Sequence, residues 1–194
     1  MSNVEVSQAL TQLAEIQDKL SRVQVYRGYR PLTVALTGIC ALLGGWLSLQ
    51  HAPEVVWPSI ATLCLLVVGG EMAYDYWTHF SKHQQRLARC VLLQFLPGIG
   101  VSAAWTACWL HSGHSPALLP SLWAICYSHC LFGSRTYLPS GIGYVATFYG
   151  LCGLALCTPY GLSHFNSGMT ITFGLGQLLL ALVLHWNQPR EVSL

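Results

Sequence analysis

The feature that most restricts this chain is a succession of six apolar segments, each near the length of a bilayer crossing and separated by short polar connections. They lie near residues 32–49, 57–77, 90–110, 117–134, 140–158 and 168–186. About 20 apolar residues in a helix cover the roughly 30 Å of membrane hydrocarbon. A helix also satisfies its own backbone hydrogen bonds, which an irregular chain in lipid does not. The spacing therefore predicts an all-α fold, a polytopic membrane bundle of six transmembrane helices over residues 31–187. Composition agrees, because only 8% of the 194 residues are charged and 53% are hydrophobic, whereas about a quarter of the residues of an ordinary soluble domain are charged.

Ahead of the bundle, residues 1–30 form a separate region. Val6, Leu10, Leu13, Ile16, Leu20 and Val23 recur at threes and fours, which predicts an amphipathic helix over residues 3–25, cytoplasmic or interfacial in position. Its apolar stripe needs cover, and the surface fits a protein partner, a second copy of the chain, or the headgroup zone of the lipid bilayer. The same region carries Glu5, Glu15, Asp18, Lys19, Arg22, Arg27 and Arg30 without the apolar core of a signal peptide, so insertion is expected to depend on the first span. Residues 188–194 form a short tail.

Charge sets the orientation. All nine Lys and Arg residues fall in the N-terminal region, between Lys82 and Arg89, at Arg135, or at Arg190. The connections at 51–54, 111–116 and 158–167 have none. Six crossings place every basic residue on one side, which the positive-inside rule assigns to the cytoplasm together with both chain ends. A net charge of +2 with no basic surface on a soluble domain gives no reason to expect a nucleic-acid partner. The eight cysteines sit within or beside apolar spans, where a thiol serves as a small hydrophobe.

The densest polar chemistry is the stretch from Glu71 to Arg89. Glu71, Asp75, His79 and His83 follow one another at steps of four. On one helix, neighbours in such a series stack one turn apart, while the first and last diverge by about 120°. Asp75, His79 and His83 thus form a candidate ligand set for a divalent metal. Glu71 and Asp75 are the candidate carriers of a proton or ion path. The plainer reading is a helix leaving the membrane, with Tyr74, Tyr76 and Trp77 in the interfacial aromatic belt.

Other polar groups are more scattered. His51, His111, His114 and His164 fall in the outer connections, whereas His129, Arg135 and His185 lie near the cytoplasmic ends of later spans. Gln94, Gln177, Thr170 and Thr172 are expected to make interhelical hydrogen bonds. No nucleophile elbow, phosphate loop or His-Glu-x-x-His pair occurs, so nothing argues for an enzyme.

Three functional readings follow. The first is a non-catalytic anchoring, assembly or regulatory subunit that uses residues 3–25 as its contact surface. A small carrier or channel for protons or divalent cations through Glu71, Asp75 and His79 is the second. The third is a membrane redox protein holding metal or haem. A divalent metal is compatible with the residues, and no cofactor is firmly implied.

Overall fold

Among the described residues, a proline or a glycine stands at the start of most helices. In the computed structural model, which describes Gln12 and residues 29–112 and 116–187, α1 spans Pro31–Leu47, α2 Pro53–Thr78, α3 Lys82–Ser112, α4 Leu119–Ser134, α5 Ile142–Leu156, α6 Pro159–Ser163 and α7 Phe165–Trp186. A short 3-10 turn at Pro116–Leu118 leads into α4. Pro31, Pro53, Pro120 and Pro159 occupy the first turns of their helices. There the missing N–H goes unmissed and the fixed φ favours the helix. No strand occurs among the described residues. Apart from Gln12, the amphipathic stretch at residues 3–25 lies outside them, as does the tail from residue 188.

Helices α2, α3 and α7, of 26, 31 and 22 residues, are long and apolar enough to cross a membrane. Over the first, fourth and fifth apolar segments the helices are shorter, 17, 16 and 15 residues, or about 22 to 26 Å at 1.5 Å per residue. Sequence sets these limits. Pro31 begins α1, Pro116 and Pro120 crowd the start of α4, and Gly141 and Pro159 bracket α5.

Successive long helices run up and down. The start of α1 meets the end of α2 through Arg30 and Asp75, and the end of α1 meets the start of α7 through Ser48 and Asn166. Gly141, before α5, sits against Val183 near the end of α7. The packing order is α1 on α7, α7 on α5, α5 on α4 and α4 on α3. Helix α2 touches α1 and barely meets α3.

Close approach around α7 depends on glycine. A Cβ at Gly38 of α1 would lie 3.0 Å from the Gly174 carbonyl oxygen, and one at Gly174 would lie 2.5 Å from Leu42. Gly176 faces the other way, where a Cβ would press on the Tyr149 ring of α5 at 2.5 Å. Gly174 and Gly176 therefore serve two different neighbours rather than one. Between α4 and α5, Ser121 and Ser128 donate hydrogen bonds of 2.7 Å to the Gly153 and Ala146 carbonyls. With no water in competition, packing and such bonds are what join helices in lipid. Ala124, Ile142, Ala146 and Tyr149 are completely buried at this centre.

Helix α2 is built differently. Only Trp57 and Asp75 of its 26 residues are buried. Added Cβ atoms at Gly69 and Gly70 would meet nothing within 4 Å.

Candidate functional site

The Arg30-Pro31 dipeptide starts the site. A residue before proline is pushed toward extended backbone, and Arg30 sits at φ −81°, ψ 124°, as the residue preceding α1. From there its guanidinium reaches α2. One terminal nitrogen donates to both Asp75 carboxylate oxygens, at 2.8 and 2.9 Å. Nε lies 3.3 Å from Glu71 Oε1. A single cation thus answers two carboxylates stacked one turn apart on α2.

The members differ in their access to water. Asp75 has 5% of its side chain exposed and Glu71 21%, against 55% for Arg30. His79 stands at the rim, its Nδ1 3.4 Å from Asp75 Oδ1 and 2.6 Å from the Thr78 hydroxyl. Thr78 in turn donates to the Tyr74 carbonyl at 2.6 Å. A cavity of about 10 Å³ lies beside Arg30 and Glu71, walled by Tyr29, Thr33, Val68 and Met72. That is about the space of one water.

The helix ends where the series of fours breaks. His79 and Phe80 both donate backbone N–H groups to the Asp75 carbonyl at 2.9 Å, and α3 begins at Lys82. No glycine closes the turn; instead Gln85 Nε2 donates to the Tyr76 carbonyl at 3.0 Å and to the Phe80 carbonyl at 3.4 Å. Ser81 caps α3 by accepting the Gln84 N–H at 3.3 Å. The Ser81-Lys82-His83-Gln84 sequence has the Ser-x-x-Gln spacing of a capping box, a signal of the helix start that is legible in the chain.

The structure therefore gathers Arg30, Glu71, Asp75 and His79, and sets His83 apart on the exposed first turn of α3. Asp75, His79 and His83 are not drawn into one ligand set, and no other cluster of three His, Cys, Asp or Glu residues suited to a metal occurs among the described residues. The separation is physical, because the break at residues 79–81 puts His83 on another helix. His51, His111 and His164 are exposed, as are His129 and His185; His164 stacks on Tyr160, with centroids 4.4 Å apart. His114 lies outside the described residues.

A second polar node stands at the far end of α2. Asn166 Oδ1 accepts from Trp57 Nε1 at 2.9 Å and from Ser48 Oγ at 2.7 Å. It thereby joins the end of α1 and the starts of α2 and α7. Trp57 and Asp75 are 18 residues apart, which is five turns and so the same face of the helix, and about 27 Å along its axis. That separation is close to the thickness of a hydrocarbon core. The interval is legible in the sequence; Asn166 is not, since nothing local marks an asparagine in the first turn of α7 as an acceptor for two distant donors.

Of the buried polar groups expected to link helices, Gln177 does so, its Nε2 donating to Tyr127 Oη at 3.1 Å. Thr170 bonds within its own helix to the Asn166 carbonyl. Gln94 Oε1 is buried without a partner.

Comparisons of the chain with protein-family models, curated proteins and solved structures gave no significant match.

Proposed function

We propose that this chain is a multi-pass membrane protein that anchors, assembles or regulates another component rather than catalysing a reaction. The observation that carries the reading is the Arg30 clamp. Both carboxylates that a conducting path would use lie on one guanidinium, so their charge is spent on holding α1 to α2. An ion path needs groups that release and rebind their cargo, and a clamped pair resists that.

Surface aromatics support the membrane setting. Tyr74, Trp77, Tyr144 and Trp186, at the end that carries Arg30, are 61 to 83% exposed, and Trp46 and Tyr160 at the other end are 57 and 75% exposed. Two such girdles are the pattern of a bilayer-spanning bundle. All five described Lys and Arg residues also cluster at the Arg30 end. On this reading the six long helices α1 to α5 and α7 all cross, the shorter ones with local thinning of the bilayer, and the Arg30 end faces the cytoplasm. The stretch at residues 3–25 is then the contact surface, toward a partner or a second copy.

The test is the size of the purified complex in mild detergent, by light scattering, for the full chain and for a chain lacking residues 1–25. The shortened chain should stay folded and lose the mass of a partner or of a second copy; a loss no larger than that of the deleted residues contradicts the reading.

A second reading has one observation in its favour. Glu71 is the less tightly held carboxylate and borders the water-sized cavity, as a proton-handling group would. Proton or divalent-cation flux into proteoliposomes decides it. Flux abolished by Glu71→Gln supports a carrier, and flux absent from the parent removes it.

A further inference from the structure

Helices α2 and α3 diverge in the half of the bundle away from Arg30 and leave a cleft of about 400 Å³ between them. The opening has a cause in residue size. Helix α3 turns Ala103 and Ala107 toward the gap and α2 turns Ala61 toward it, so neither fills the space that their divergence creates, while Gly98 lets Cys130 of α4 pack close against α3. Among the described residues, no charged side chain lines the cleft. Its back wall is aromatic, with the Trp123 and Phe173 rings edge to face at 6.5 Å and Tyr127 6.3 Å from Phe173.

Polar groups of the wall are largely spent on one another. Trp123 Nε1 donates to Thr106 Oγ1 at 2.9 Å, and Thr106 donates to the Ser102 carbonyl at 2.7 Å. Tyr127 Oη accepts from Gln177. Water needs two to four polar partners to settle in a cavity, and these walls offer little. Small-molecule sites fall in the range of about 300 to 1,000 Å³ and favour gaps between helices walled by apolar and aromatic side chains.

The cleft is continuous with the outer surface of the bundle. Leu65 and Leu110, at its margins, are themselves 52 and 47% exposed. The chain preceding Arg30 joins at the opposite end, so the cleft does not open where that segment enters. What borders the mouth, in a membrane, is hydrocarbon.

We infer that the cleft is a binding site for the hydrocarbon chain of a lipid, which enters sideways between α2 and α3. The inference rests on the membrane reading above. An alkyl chain satisfies every requirement of the wall, since it is narrow, uncharged and needs no hydrogen bond. The aromatic back wall supplies dispersion contacts along its length. The chain can come from a free fatty acid or from a phospholipid, and both present the same chemistry here.

The experiment uses the full chain in phosphatidylcholine vesicles carrying a diazirine in the acyl chain, and in a second arm plain vesicles with added diazirine palmitic acid. After irradiation, adducts are mapped by mass spectrometry. They should concentrate on the segments at residues 58–65, 98–110 and 123–130. Ala107→Phe and Ala103→Phe, which place a ring in the gap at positions already open, should reduce the adducts at Tyr127 to background. Ala104→Phe, on α3 and exposed but outside the cleft, should leave them unchanged. Labelling in both arms supports a chain-reading site indifferent to the headgroup, and labelling in one arm names the source.

Adducts spread evenly over the outward faces, or undiminished in both Phe variants, overturn the inference. So does labelling absent from the cleft while the chain cross-links to a second copy. Failure of the protein to float with the vesicles sinks the membrane reading itself; flotation with no cleft adducts sinks only the lipid site.

Discussion

Helix α2 and the block formed by α1, α7, α5 and α4 are made of similar apolar residues, yet they are held by different means. In the block, glycine brings backbones together, and serines bond across to carbonyls at intervals of two turns. Attachment is continuous along each helix. Helix α2 is instead fastened near its two ends, by Trp57 on Asn166 with Ile60 seated at Gly44, and five turns on by Asp75 on Arg30 with Tyr76 bonded to Arg89. Between those points it flanks the 400 Å³ cleft on the α3 side and a gap of about 140 Å³ on the α1 and α7 side. Similar hydropathy thus supports two modes of packing, and the difference lies in where small residues meet a neighbour and where they meet open space.

The sharpest way to break the comparison is to enlarge glycines in both regions. Gly38→Leu pushes a side chain into the Gly174 backbone, 3.0 Å from the nearest oxygen, and should cost about 3 kcal/mol in detergent unfolding followed by circular dichroism, at the upper end of overpacking. Gly70→Leu on α2 should cost little, since nothing lies within reach. Equal losses at the two positions would erase the distinction.

The two fastenings of α2 come next. Arg30→Ala leaves the buried Asp75 and its neighbour Glu71 without their cation and should destabilise by about 2 kcal/mol, less than the 3 to 5 expected of a fully buried pair because Arg30 is partly in water. Asp75→Asn should cost less, about 1 kcal/mol, because the freed guanidinium can turn to solvent. The reverse order would mean that Arg30, not Asp75, is the desolvated partner.

At the other end, Asn166→Ala strands the Trp57 indole N–H and should cost about 1 to 2 kcal/mol. Ser48 is less affected, since its single hydroxyl hydrogen can turn to the Gly45 carbonyl, 2.8 Å away. Gly70→Ala is the smallest effect and is expected to stabilise, by up to about 1 kcal/mol through helix propensity. A loss there would show that α2 packs where it stands open.

Much of this was legible in the chain. Apolar run lengths placed the helices, and the series of fours marked Glu71 and Asp75 as the polar focus. The partner of that focus was not legible, because Arg30 is 45 residues from Asp75 and reads locally as an interfacial arginine. Helical spacing along one element groups Asp75, His79 and His83 as neighbours one turn apart. The fold divides them, since Gln85 and Ser81 close a turn that lacks glycine or proline. Asn166 was invisible for the same reason as Arg30: its meaning depends on two donors from other helices.

The most direct measurement is the distance distribution between spin labels, introduced through non-natural amino acids at Leu66 of α2 and Leu151 of α5, both exposed, with a reference pair at Leu43 and Leu151 within the block. In lipid nanodiscs, the combined Arg30→Ala and Asn166→Ala variant should broaden the Leu66 distribution and leave the reference pair narrow. An unchanged Leu66 distribution, or broadening of both pairs together, would contradict a helix held at its two ends.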